Sequence, residues 1–236
     1  MLDISSASGA SYPYAIYENS SYENAYETGV VPRTLAHPKR RLQPNHVLYE
    51  AGYEASSLYV INSGILKAVI PTAMGRNRIA DLYGAGDVVG VASIDSDTHV
   101  ETVIAVHKTS LTPIDPHQAI ADRKLNKYIF NAIAKQIRRS REAVDDAELP
   151  VGARVTKAIL RLCQRFGQKA NLEEVQLPLA LTHEDFASLT GSSRVTITRI
   201  LGELRQLGAL TGSRGIYLAH LTKLEQATDE YVMQVL

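Results

Sequence analysis

The chain has no tryptophan, three phenylalanines and one cysteine in 236 residues, and no long run of apolar residues. Each scarcity excludes something. A lone Cys163 cannot close an internal disulfide or supply a four-cysteine iron–sulfur cluster. It recurs at helical spacing with Ile159, Leu160 and Phe166, which gives it a packing role rather than a redox one. No stretch approaches the ~18 apolar residues of a membrane span, and the start, MLDISSASGASYPY, lacks a basic segment followed by an apolar one. A cytoplasmic location is expected. Charge of one sign is also missing: 25 basic and 25 acidic side chains cancel, so only local clustering can point to a polyanionic partner. Enzyme signatures are absent too. There is no HExxH, no phosphate-cradling glycine loop and no nucleophile–base grouping. The paired acids Asp145-Asp146 fall on the polar side of a helix end and read as solvated. The chain is not expected to be an enzyme.

What is present falls into four stretches. Residues 1–31 form a tail with five of the twelve tyrosines, at positions 12, 14, 17, 22 and 26, and no Leu, Val or Phe between Ser5 and Gly29; it cannot build a core of its own. Docking of these tyrosines on the β-domain or on a dimer partner is the alternative to a flexible tail. Residues 32–116 alternate short apolar runs with glycine turns: Val47–Tyr49, Leu58–Ile61, Ile65–Ile70, Arg78–Tyr83, Asp87–Val91, Val100–Val106 and Ser110–Ile114. That pattern predicts an all-β roll, barrel or sandwich. Residues 117–149 then lose their glycines. Phe130, Ile133, Ile137, Ser140, Val144 and Ala147 are spaced 3, 4, 3, 4, 3, a heptad seam on an otherwise polar helix. A parallel twin from a second subunit is the economical partner for it; packing on the β-domain is the alternative.

Residues 150–236 form the fourth stretch. Leu149-Pro150-Val151-Gly152 reads as a hinge, and Ala153–Phe166 as a helix stopped by Gly167. Leu181–Leu210 reads as helix, glycine turn, helix. Thr182 and Asp185 have capping-box spacing, Gly191 makes the turn, and Ser192 or Ser193 caps the second helix. Ile197, Ile200, Leu201, Leu204 and Leu207 recur at helical spacing. On the opposite side stand Val195, Thr198, Arg199, Gly202 and Gln206, with Arg194 on the flank. From Arg194 to Arg214 there are four arginines and one acid, Glu203. Arginine forks match guanine O6/N7, hydroxyls reach phosphates, and a valine meets a thymine methyl. A hairpin around Gly212-Ser213-Arg214-Gly215 supplies a wing with Arg214 at its tip, in reach of phosphate. Residues 221–236 suggest a short terminal helix.

This order of roll, seam helix, hinge and winged helix-turn-helix resembles the Crp/Fnr transcription regulators over residues 33–220. The stretch GYEASSLYVINSGILKAV (Gly52–Val69) is similar to the family's roll motif, and SRVTITRILGELRQLGAL to its recognition helix. The resemblance implies an α+β protein: an N-terminal β-roll of cyclic-nucleotide-binding type, a long dimerisation helix, and a C-terminal winged helix-turn-helix. It implies a homodimer on near-palindromic double-stranded DNA, with RNA polymerase as a partner. Its contact positions fall on Ser193, Arg194, Val195, Thr196 and Arg199; Thr182, Thr198 and Arg214 join them from the reading above. Well-known members carry a glutamate where this chain has Val195. A carboxylate accepts from cytosine N4 and valine cannot. The Arg-Val-Thr-Ile-Thr-Arg helix is most similar to the cyanobacterial nitrogen-regulator branch.

The sensor departs further. Cyclic-AMP-binding members use a Gly-Glu pair for the ribose and an arginine some ten residues on for the phosphate. Here the matching pair is taken as Gly86-Asp87. The later segment, Asp95–Glu101, holds His99 and Glu101 but no arginine; none occurs between Arg78 and Arg123. Three acids line the place of the phosphate, which argues against cyclic AMP. Gly86, Asp87, His99 and Glu101 are the candidate effector residues. No iron–sulfur cluster is available, and the seven histidines lack metal spacing and read as surface residues, so no haem or metal is indicated. The effector is unknown, and control by abundance alone stays open. The rival reading is a ligand-sensing module that acts through protein–protein contacts, against which the basic face around Val195 argues.

Overall fold

The computed structural model describes residues 40–72, 75, 77–213 and 215–234. The tyrosine-rich tail and Arg214 lie outside the described residues. In chain order the elements are β1 (Arg40–Leu42), β2 (Val47–Tyr49), β3 (Leu58–Ser63), β4 (Leu66–Pro71), β5 (Asn77–Tyr83), β6 (Val88–Val89), a 3-10 turn (Val91–Ser93), β7 (Thr102–Ala105), β8 (Thr109–Ile114), α1 (Pro116–Ala121), α2 (Arg123–Asp146), α3 (Val151–Phe166), β9 (Gln168–Lys169), β10 (Glu174–Leu177), α4 (His183–Thr190), α5 (Arg194–Gln206), β11 (Leu210–Ser213), β12 (Ile216–His220) and α6 (Leu221–Met233).

The first eight strands form two four-stranded antiparallel sheets, ordered β1-β8-β3-β6 and β2-β7-β4-β5. Their facing apolar residues, among them Leu48, Ile61, Leu66, Ala68, Val89, Val103 and Leu111, make one buried core, as two packed sheets require. β1 has no signal in the sequence reading. Arg40-Arg41-Leu42 is too polar to stand out, and it is a strand because its backbone completes the edge of β8.

The single helix expected over residues 117–149 is two. Asp122 sits at φ −86°, ψ 110° and ends α1; its carboxylate accepts from the amides of Lys124 and Leu125 and starts α2. A side chain that outcompetes the backbone in this way favours a cap over a continuous helix. α2 is nonetheless 24 residues, about 36 Å long. One face packs Leu125, Ile129 and Ala132 on the roll with Val60, Val88 and Ile114.

The linker is shorter than expected. Pro150 is the N-cap of α3 and Val151 its first residue. Asp146 is not solvated: it is 4 % exposed and pairs with Lys157 (2.8 Å) and Arg161 of α3, so the end of α2 is clamped to the next helix.

The C-terminal part is α3–α6 with the sheet β11-β12-β10-β9. Its core does not stop at its own border. Ile65, Ile79 and Leu82 of the roll lie in the same apolar cluster as Val155, Ile159, Phe166, Phe186, Ile197 and Leu204. Gly84 approaches so closely that a Cβ there would stand 2.7 Å from Cε1 of Phe166. Cys163 is buried in this core, and burial pushes its thiol up to about 12; it stays a protonated packing group at neutral pH. Among the described residues no helix is long and apolar enough to cross a membrane.

Candidate DNA-contacting surface and sensor site

The helix pair is built from local chemistry. Thr182 caps α4: its hydroxyl accepts from the Asp185 amide (3.0 Å), and Asp185 accepts in return from the Thr182 amide (2.9 Å). Gly191 turns the chain at φ 63°, a left-handed conformation with little cost for glycine. Ser193 caps α5 by accepting from the Thr196 amide (3.1 Å). Ile197, Ile200, Leu201 and Leu204 are fully buried, which fixes the rotation of α5. The outward face follows. Arg194, Thr198 and Arg199 are exposed, and Val195 is 79 % exposed at the first turn. Ser193 is exposed and Thr196 half-buried, with their hydroxyls 2.8 Å apart. Leu207, expected in the apolar stripe, is 49 % exposed past the helix end.

Two contacts on this face escaped the sequence reading. His183 Nδ1 lies 2.8 Å from Thr198 Oγ1, tying α4 to α5. Burial and the nearby Arg205 and Arg194 lower its pKa, so it is neutral at pH 7. Arg199 pairs with Glu203 one turn on. The i, i+4 spacing was legible; that the pair lies on the exposed face required the fold.

α4 also meets the roll. β5 is the open edge of its sheet, and an open edge leaves backbone groups unpaired. Ser188 covers it, accepting from the Ile79 amide (2.7 Å) and donating to the Asn77 carbonyl (3.2 Å). Beside it Lys67 Nζ pairs with Asp185 Oδ1 at 2.6 Å. Burial alone would raise the Asp185 pKa, but hydrogen bonds from Lys67 and Thr182 outweigh it and hold the carboxyl below its usual range.

The candidate effector residues are divided between two settings. Asp87 faces the helices: its carboxylate accepts from the Gly84 amide (2.9 Å) and pairs with Arg139 (3.5 Å) and Arg165 (3.3 Å). Asp81 pairs with the same arginines at 2.6 and 3.4 Å. Arg165 also donates to the Leu82 carbonyl. Asp87 is therefore part of an ion cluster joining roll, α2 and α3. The Gly86 carbonyl accepts from the Tyr128 hydroxyl on α2. His99 and Glu101 are inside the roll, 4 % and 5 % exposed, which corrects the surface assignment of His99. Its ring stacks on Tyr49 with centroids 3.6 Å apart. Glu101 accepts from the Tyr49 hydroxyl (3.1 Å). Burial raises the Glu101 pKa more than the tyrosine hydrogen bonds lower it, and burial lowers that of His99.

The seam residues face outward. Phe130, Ile137 and Val144 are 64 %, 55 % and 69 % exposed. Ser140 and Ala147 are exposed, with Ala147 just past the helix as its C-cap, and Ile133 is half-buried against the roll.

A roll joined to a long seam helix and a winged helix-turn-helix with a basic, outward recognition face defines a two-part DNA-binding transcription regulator. Two family models match in the same order: the cyclic nucleotide-binding domain over residues 39–120 and the Crp-like helix-turn-helix domain over 153–227. The chain belongs to the Crp/Fnr family of transcription regulators. It is 28 % identical over 191 residues to the CRP-like cAMP-activated global transcriptional regulator of Mycobacterium tuberculosis, covering 76 % of this chain and 85 % of that protein. It is 28 % identical over 197 residues to the fumarate and nitrate reduction regulatory protein of Vibrio cholerae, covering 79 % and 76 %. A CRP-family regulator from Thermus thermophilus shares the fold, with a TM-score of 0.71, 20 % identity, and coverage of 82 % of this chain and 98 % of that one.

Proposed function

We propose that this regulator works as a cytoplasmic homodimer, without enzymatic activity, that places two α5 helices in successive major grooves of a near-palindromic site. The observation that carries this reading is the two-sided α5. Its back is fully buried, and its front offers Arg194, Val195 and Arg199 to solvent. Arginine forks read guanine and valine meets a thymine methyl. Ser193, Thr196, Thr198 and Thr182 add hydroxyls for phosphate contacts, and Arg214, which lies outside the described residues, is assigned the same role from the sequence. The exposed Phe130-Ile137-Val144 line supports a parallel α2 pair, which sets half-sites about one helical turn apart. RNA polymerase is the partner through which such a dimer acts on transcription.

Among the described residues the roll buries Glu101 and His99 in its interior, and no lysine or arginine. A cyclic phosphate there would meet a carboxyl group instead of an arginine fork, so the reading does not include cyclic AMP. An effector that loosens the Tyr49–His99–Glu101 packing would act on α2 and α3 through the neighbouring Asp81–Asp87–Arg139–Arg165 cluster.

Sedimentation and titration of duplex binding against salt test the proposal together. A dimer is expected, with log affinity falling linearly in log salt. Arg194→Ala with Arg199→Ala should abolish specific binding and leave the dimer intact. A monomer, or binding indifferent to both arginines, would overturn it.

A further inference from the structure

The terminal helix α6 packs along α3. Thr228 Oγ1 lies 2.8 Å from Thr156 Oγ1, both side chains buried. One turn on, the Tyr231 ring fills the space over Gly152, where any Cβ would collide with it. Gly152 is the second residue of α3, directly after the linker from α2. The ring therefore packs directly on backbone next to the linker. From there the Tyr231 hydroxyl donates to Glu203 Oε2 at 2.6 Å. The other carboxylate oxygen, Oε1, accepts from Nη1 of Arg199. Burial and the Glu203 carboxylate raise the pKa of the phenol, so it is a donor throughout the physiological range.

We infer that Tyr231 is a positioning residue for DNA reading: through Glu203 it holds the Arg199 guanidinium in the orientation that presents its fork to a guanine. This rests on the reading of Arg199 as a base contact. The physical case is one of preorganisation. The Arg199 side chain is 61 % exposed and Glu203 35 %, and an exposed arginine pair held only by an i, i+4 carboxylate samples many rotamers. Fixing the carboxylate from behind removes that freedom before DNA arrives, so less ordering entropy is lost on binding. The guanidinium is planar and carries five donors, so one nitrogen on Glu203 still leaves an edge for a bidentate contact. Glu203 is also the single acid between Arg194 and Arg214. A carboxylate on a surface that meets phosphates costs affinity unless it does something else, and orienting an arginine is what its contacts allow.

The test is base preference rather than affinity. Preferred sites of the full-length protein are selected from random duplexes, and each base at the selected positions is then varied. Arg199→Ala identifies the guanine that Arg199 reads. Tyr231→Phe keeps the ring on Gly152 and removes only the hydroxyl. It should lower the preference for that guanine by roughly threefold to tenfold, a fraction of the discrimination a full bidentate contact gives. Binding to an unrelated duplex should change by less than about twofold. Glu203→Gln should do the same, and the double variant should be no worse than Glu203→Gln alone, since both act on one path. Full retention of the guanine preference in Tyr231→Phe, or an equal loss on every duplex, would overturn the inference and leave Arg199 as the reader. If Arg199→Ala itself keeps every preference, the reading of Arg199 fails first and this inference falls with it.

Discussion

Replacing Asp81 by asparagine keeps the side-chain volume and removes one of the two anions that Arg139 and Arg165 share. In the intact cluster two carboxylates face two guanidiniums across three elements: β5 with the following loop, α2 and α3. The four side chains are only 15–26 % exposed. Solvent-exposed pairs contribute about 0.2–1 kcal/mol, and breaking a fully buried pair costs about 3–5 kcal/mol. This cluster lies between, nearer the buried case, so Asp81→Asn should cost about 2–3 kcal/mol. With a slope near ~3 kcal/mol per molar urea for a chain of this size, the midpoint should fall by roughly 1 M. Asp145→Asn, on the exposed side of α2, is the matched control and should stay within about 0.5 kcal/mol. Protein concentration is held constant, since the apparent stability of the proposed dimer would depend on it. Hydrogen exchange adds a location: the Ile79 amide, covered by Ser188, should exchange faster in Asp81→Asn if the cluster holds α3 and α4 on the roll. A midpoint shift below about 0.2 M, with unchanged exchange at Ile79, would refute the view that this cluster joins sensor and DNA-binding parts.

Three further outcomes follow from the same geometry. Ile137→Asp puts a charge at the middle of the exposed α2 seam and should yield a monomer by sedimentation with its β-roll intact; a stable dimer would exclude the seam as the interface. Val195→Glu adds a cytosine N4 acceptor at the most exposed apolar position of α5 and should change the site selected from random duplexes; an unchanged site would refute that contact. Asp185 has a depressed folded-state pKa, so its contribution to stability is present above the unfolded value near ~4 and is lost as pH falls through the folded one. Lys67→Met should therefore be less stable than wild type at neutral pH, with the gap narrowing below about pH 4 in urea midpoints measured against pH; parallel curves would refute the Lys67–Asp185 latch.

Much of the helix pair could be read directly. Thr182, Asp185, Gly191 and Ser193 are local signals, because a cap or a left-handed turn depends on a few neighbouring residues. The seam residues could be read for the same reason, since periodicity survives without a partner in view. The surroundings of the candidate effector residues in the roll could not. Asp87 matches the family's glycine–acid pair, and nothing local shows that its carboxylate meets Arg139 and Arg165, from helices 52 and 78 residues away. Asp146 read as solvated because its neighbours on α2 are polar, whereas its partners stand on α3. His99 gave no sign of being buried, because nothing local announces a ring stacked on the distant Tyr49.

The amino-acid sequence by itself determined the order of parts, the caps and turn of the helix pair, the seam on α2 and the face of α5 that carries Val195. All of these depend on spacing within a few turns of one element. Only the tertiary structure decided which charges are spent internally, how α4 closes the edge of β5, and that the terminal helix reaches Arg199 through Tyr231 and Glu203. The reason is physical: a side chain's partners across elements are set by packing, and packing is not written in the local spacing of residues.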